Sequence, residues 1–201
     1  GINMVKRRPD LFCAYVGTGQ VSDLPRGIGM DYTRLLEQAQ AANDTETLRA
    51  LTTIGAPPFA NMQQVAVFFQ SIGKYQSASD NIAMQAMQRS LTSPPPDYSL
   101  RDVFYQSQGF TRIPTWRLYN EMLNTKLAAL GPDIGVPVFI FQGSEDPVTP
   151  AALAEEYFQK LNAPRKEMVL LKGGGHFAVW SMADRFREEL VLRVRPLAKR
   201  L

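Results

Sequence analysis

A single cysteine, Cys13, and a single histidine, His176, occur in 201 residues. One thiol excludes an intramolecular disulfide framework and suits a reducing compartment, so a cytoplasmic location is expected. Cys13 falls in the apolar run Leu11-Phe12-Cys13-Ala14-Tyr15-Val16, where a buried structural thiol is expected rather than a reactive one. One histidine, one cysteine and no clustered carboxylates exclude a metal ligand set. No cofactor is expected either. Gly17-Thr18-Gly19 follows an apolar run, but position 22 is Ser22, so the dinucleotide fingerprint G-x-G-x-x-G fails. No apolar stretch approaches about 18 residues, which excludes a helical membrane span. A strong charge of one sign is lacking as well: 22 Lys and Arg against 19 Asp and Glu leave +3. Without a long basic run this argues against nucleic acid and membrane surfaces as partners. The C-terminal cluster Arg185, Arg187, Arg193, Arg195, Lys199 and Arg200 is spaced for the wet face of a helix.

What is present is an ordinary globular composition, 45% hydrophobic and 20% charged, on a chain long enough to bury a sizeable core. Three segments are distinguishable. In residues 1–29, a helix tail is stopped by Pro9, and Leu11 to Val16 reads as a buried strand ending in a glycine turn. Residues 30–131 carry amphipathic helical spacing at Tyr32 to Glu37, Thr45 to Leu51, Met62 to Ile72 and Thr115 to Leu130. Asn43 or Asp44 with Thr45 supplies cap chemistry, and the breaks fall at Ala56-Pro57-Pro58 and Ser93-Pro94-Pro95-Pro96. This block reads as a helical insertion. Residues 132–201 alternate strand and helix: Val136 to Gln142, a helix from Pro150 to Leu161 capped by Thr149, Met168 to Leu171, then one helix from Ala178 to Val194. Fold class is therefore α/β, with three parallel strands, flanking helices and an inserted helical block. So small a parallel sheet has exposed edges, and strand 11–16 is expected to need a neighbour on its far side.

His176 sits in Lys172-Gly173-Gly174-Gly175-His176-Phe177, directly after a strand. Asp146 stands thirty residues earlier in Gln142-Gly143-Ser144-Glu145-Asp146-Pro147, also after a strand. Catalytic groups of open α/β sheets gather at strand carboxyl ends. There a carboxylate can fix the tautomer of an imidazole that shuttles a proton for a nucleophile. The nucleophile should be Ser, Cys or Asp on a sharp strand-to-helix turn, and none is found. Plainer readings exist for both residues: His176 as a turn residue, and Asp146 as an Asx-turn or helix-start acid. Glu145 is a rival for the acid role.

The segment Val136 to Pro150 resembles the acid-bearing segment of α/β-hydrolases, and Gly174-Gly175-His176-Phe177 resembles their histidine loop. Asn3-Met4-Val5-Lys6-Arg7-Arg8-Pro9-Asp10-Leu11-Phe12 is similar to the end of the helix behind the nucleophile followed by the sixth strand. With Tyr15-Val16-Gly17-Thr18-Gly19-Gln20 and the helical insertion, the sub-family likeness is to proline iminopeptidase-like hydrolases. The resemblance implies His176 as general base and acid, Asp146 as its orienting partner, and hydrolysis of a peptide, amide or ester bond of a small substrate. In the family the G-x-S-x-G elbow precedes the helix whose end resembles Gly1 to Arg8, so the resemblance implies a serine about half a dozen residues before Gly1; the motif itself occurs nowhere in 1–201. This leads to two expectations: no turnover by the chain alone, and an N-terminal hydrolase segment pairing with strand 11–16. In the peptidase branch, acids of the helical insertion receive the substrate's amine. Glu37, Glu46 and Glu121 are candidates, and Trp116, Tyr119, Phe68 and Phe69 are candidates to line an apolar pocket, though insertion core is the plainer role. Two other readings stand beside this one. One is a non-catalytic binding or interaction remnant. The other is the same fold with an Asp nucleophile, of the dehalogenase or epoxide hydrolase type.

Overall fold

In the computed structural model, residues 1–92, 97–105 and 115–198 are described, without the side chains of 87, 88, 90–92, 115 and 116. Three parallel strands, β1 (Tyr15–Thr18), β2 (Val138–Gly143) and β3 (Lys166–Leu171), lie in the order β1-β2-β3. The register sets Tyr15 against Val138 and Val138 against Lys166, so the three strands start together; β2 and β3 end together at Gly143 and Leu171, two residues beyond the end of β1. The class is α/β, as the strand–helix alternation requires.

β2 shows why its sequence is a continuous apolar run. Every residue from Val138 to Gly143 is buried, because both faces of the central strand are covered. Val138 and Ile140 face α1 (Ile2–Arg7) and α7 (Ala151–Lys160), packing with Ile2, Val5, Tyr157 and Leu161. Phe139 and Phe141 face the other way, toward α8 (Ala178–Ser181) and α9 (Ala183–Arg193). There the Phe141 and Phe186 rings meet edge to face, centroids 5.1 Å apart.

Between β1 and β2 the chain makes a long helical excursion: α2 (Leu24–Ala41), α3 (Thr45–Ile54), α4 (Met62–Tyr75), α5 (Ala78–Thr92) and α6 (Thr115–Leu123). On α2, Leu24, Ile28, Tyr32 and Leu35 form one stripe and pack with Leu51, Phe59, Val65, Phe68 and Ile72. Asp23, Asp44 and Asn61 accept hydrogen bonds from first-turn amides of α2, α3 and α4. Asp44 does more: it also takes the Lys74 ammonium at 2.6 Å and the Tyr75 hydroxyl at 2.8 Å, tying α3 to α4.

Several local expectations need correction. The first strand begins at Tyr15 rather than Leu11, because Pro9–Leu11 coils into a 3-10 turn that commits the Leu11 and Phe12 amides to Arg8 and Pro9. Leu11 and Cys13 are consequently exposed, so Cys13 is not a buried thiol. Thr149 does not cap α7; its hydroxyl is spent on Asp146. The last helix breaks at Met182, whose backbone (φ −121°, ψ 41°) leaves the helical region. Leu127–Leu130 is a 3-10 turn outside α6, which ends at Leu123. The C-terminal arginines are less uniformly solvated than their spacing suggests. Arg193 pairs with Glu167 of β3 and with Glu189, which Arg185 also meets at 2.6 Å. Lys199 and Arg200 lie outside the described residues.

Phe141 is fully buried, and truncation to Ala removes both its packing and the ring contact with Phe186. The expected loss is about 3–5 kcal/mol. Denaturant unfolding of Phe141→Ala would show it as a lower midpoint at an unchanged slope.

Candidate active site

The β2 strand ends at Gly143, and the turn after it carries Asp146 under the sheet edge. Gly143 is needed there: a Cβ on it would lie 2.1 Å from the Gly175 carbonyl oxygen of the neighbouring loop. Asp146 is 6% exposed, and its carboxylate gathers five donors. The Val148 and Thr149 amides reach Oδ1, each at 2.8 Å. The Thr149 hydroxyl (2.7 Å) and Gln142 Nε2 (2.9 Å) reach Oδ2. His176 Nδ1 completes the set, 3.1 Å from Oδ1 and 3.0 Å from Oδ2. The Asx-turn reading and the partner reading are thus both true of Asp146, because a carboxylate has lone pairs enough for each. Glu145, the rival acid, is exposed and does not take part in this pairing.

His176 comes from the loop after β3, on the strand adjacent to β2. Gly19, after β1, adopts φ +53°, and a Cβ there would stand 3.2 Å from His176 Cε1. All three strand ends therefore converge on the imidazole. Its Nδ1 is spent on Asp146, and Nε2 carries no hydrogen bond to any described residue.

Burial alone would lower the His176 pKa, but the hydrogen bond and charge of Asp146, with the charges of Asp80 and Asp31, outweigh it and leave the imidazole above its ordinary value. Burial would raise the Asp146 pKa, and the bond and charge of His176, with the Thr149 amide and hydroxyl, leave it below the usual carboxylate range. The stabilising effect of the lowered Asp146 pKa is present above the unfolded carboxyl value and is lost as pH falls through the folded one. That of the raised His176 pKa is present below the unfolded imidazole value and is lost as pH rises through the folded one.

Four residues at this site were not read as part of it from the sequence. Gln142 is buried and bridges two strand ends: its Oε1 accepts from the Gln20 amide at 2.8 Å while its Nε2 donates to Asp146. As the one polar side chain closing the run Val136 to Gln142, it had a legible signal. Thr149 was read as a helix cap, and its carbonyl and hydroxyl serve Gln142 and Asp146 instead. Asp31, on α2, is buried beside Arg34 (3.4 Å), and burial raises its pKa to about 7 against the pull of that guanidinium. Asp80, on α5, meets the histidine loop. Nothing in the spacing of Asp31 marks it.

A cavity of about 630 Å³ opens beside Asp146, walled by Asp31, Arg34, Tyr75, Ser77 and Glu145. The acids considered for an amine lie elsewhere. Glu37, Glu46 and Glu121 are exposed, and Glu121 faces Arg117 at 3.7 Å. Phe68 and Tyr119 belong to the core of the helical block, and Phe69 is 40% exposed. The side chain of Trp116 lies outside the described residues.

Fold and site together define an α/β scaffold with a buried carboxylate–imidazole pair at the carboxyl ends of adjacent parallel strands. Comparison with known proteins adds two likenesses. The chain is 23% identical over 178 residues to a protein named probable aminopeptidase YbaC, of Bacillus subtilis (strain 168). That alignment takes in 87% of the chain and 55% of the relative, so the chain spans little more than half the length of the curated protein it matches. A solved structure titled as a putative non-heme bromoperoxidase, BpoC of Mycobacterium tuberculosis H37Rv, superposes with a TM-score of 0.43 at 16% identity, covering 96% of this chain and 61% of that one. No family model matches the sequence. Among the described residues no helix is long and apolar enough to cross a membrane.

Because His176 is the sole histidine, its Cε1–H resonance reports the site without assignment ambiguity. An NMR titration should place its midpoint above the ordinary value of about 6.5. In Asp146→Asn the midpoint should fall, since the largest upward influence is gone while burial remains. An equal or higher midpoint in that variant would count against the pairing.

Proposed function

We propose that this chain carries the acid and base of an α/β-hydrolase acting on a peptide, amide or ester bond of a small substrate, in the manner of proline iminopeptidase-like enzymes. The observation that carries the reading is the position of His176 Nδ1 against both oxygens of a buried Asp146 at neighbouring strand ends. The resemblance to an aminopeptidase-named relative supports the direction of the chemistry.

In this reading residues 30–131 form a cap over the strand ends, between the core segments 1–29 and 132–201. A serine outside residues 1–201 faces His176 Nε2. The imidazole takes the hydroxyl proton as the oxygen attacks the carbonyl carbon, and it returns that proton to the departing amine or alcohol. Asp146 holds the tautomer with Nδ1–H and stabilises the imidazolium. Water then repeats the exchange to release the acid. The segment bearing the serine pairs along the outer edge of β1, which has no partner strand among the described residues.

In the full-length enzyme, His176→Ala should cut kcat/KM for aminoacyl anilides or esters by roughly three orders of magnitude or more, and Asp146→Asn by about two to four. Activity retained within a factor of a few in His176→Ala would remove the residue from the mechanism. A fluorophosphonate probe should label the full-length enzyme and leave residues 1–201 alone unlabelled. Labelling of the isolated chain would show a serine nucleophile within it. A hydrolase-inactive full-length protein that still binds partners would favour the interaction remnant.

A further inference from the structure

One buried carboxylate at this site remains unaccounted for. Asp80 has no exposed surface, yet its Oδ2 has no hydrogen-bond partner. It stands in the first turn of α5, where its own amide donates to Ser77 Oγ at 3.1 Å. In a Ser-x-x-acid capping box the acid would turn back to the cap residue's amide. Asp80 turns away instead. Its Oδ1 accepts the main-chain N–H of Phe177 at 3.2 Å, ninety-seven residues along the chain. Its Oδ2 occupies the space over Gly175, where an added Cβ would lie 1.7 Å from it. One side chain from the helical block therefore accepts a hydrogen bond from the residue after His176 and packs closely against the residue before it.

We propose that Asp80 is a positioning residue: from α5 it clasps the histidine loop on both sides of His176, tying the placement of the imidazole to the seating of the helical block. The inference rests on the reading of His176 as a hydrolase base, for which imidazole placement matters. A seated block supplies the clasp, and a block that lifts withdraws it together with one of the negative charges near the ring. Three carboxylates face His176: Asp146 from the acid loop, Asp31 from α2 and Asp80 from α5. Arg34, beside Asp31, and the exposed Glu145 are the other charged groups of the adjoining cavity. Burial raises the pKa of Asp80 while the amides of Phe177 and His176 draw it back, and its charge in turn favours the imidazolium.

Amide hydrogen exchange at Phe177 and the NMR titration of the single histidine test this on residues 1–201. In Asp80→Ala the Phe177 amide should exchange about tenfold faster or more, as the loss of one local hydrogen bond allows. The His176 midpoint should also fall by roughly 0.5 to 1 pH unit. Asp80→Asn keeps an acceptor oxygen, so it should preserve the slow exchange while still lowering the midpoint. Gly175→Ala, which drives a methyl into Oδ2, should reproduce both effects with the acid still in the chain. Unchanged exchange in Asp80→Ala and Gly175→Ala would overturn the clasp. Should Asp80→Ala not fold, an unchanged histidine midpoint in both Asp80→Asn and Gly175→Ala overturns it as well. Neither readout requires turnover, so failure of the hydrolase reading and failure of the clasp are separate results.

Discussion

The carboxylate of Asp146 is the constraint around which the rest is arranged. A buried carboxylate is costly unless donors match its lone pairs. Here two amides, a hydroxyl, a carboxamide and an imidazole supply them. Each donor comes at a structural cost that the surrounding fold meets. The amides require the tight turn after β2, the carboxamide requires a polar residue at the end of an otherwise apolar strand, and the imidazole requires β3 beside β2 with its loop folded back. Gly143 follows from the same requirement, because the backbone of the histidine loop comes closer there than a side chain would permit, and Gly19 is favoured by its positive φ beside a tight approach of the imidazole.

The arrangement is also polarised in a useful sense. With Nδ1 held by a carboxylate kept below its usual pKa, the imidazole is oriented, and Nε2 has no hydrogen-bond partner among the described residues. Asp31 and Asp80 add negative charge from the helical block, so the electrostatics of the imidazole are shared between the sheet and the helices. Asp31 also lines a cavity walled by both parts. A ligand entering there would meet Arg34 and Asp31, whose mutual pairing and burial leave the acid titrating near neutrality.

Much of this was legible from residue patterns, and the failures have identifiable causes. β2 was readable because burial on both faces selects an unbroken apolar run, and α2 to α4 because one-sided burial selects a stripe. The pairing of Asp146 with His176 was readable because each follows an apolar strand in a glycine-rich turn. The start of β1 was misplaced because hydrophobicity does not distinguish a strand from a 3-10 turn at Pro9–Leu11, where proline opens the turn. Cys13 was misjudged for the same reason. The break at Met182 fell inside a sequence with sound helical spacing. Thr149 has the right chemistry and position for a helix cap, and only the neighbouring carboxylate diverts it.

By itself the sequence determined the class of architecture, the central strand, and the two residues whose chemistry defines the candidate site. These depend on local periodicity and on short-range turn chemistry, which are written in consecutive residues. Only the tertiary structure decided that Gln142 and Thr149 complete the carboxylate, that Gly19 makes room for the imidazole, and that Asp31 and Asp80 rather than Glu37, Glu46 or Glu121 approach it. Gln142 and Thr149 lie within four residues of Asp146, but Gly19, Asp31 and Asp80 reach His176 from roughly a hundred or more positions away. Which long-range partner satisfies a buried polar group depends on how whole elements pack, and no local pattern encodes that.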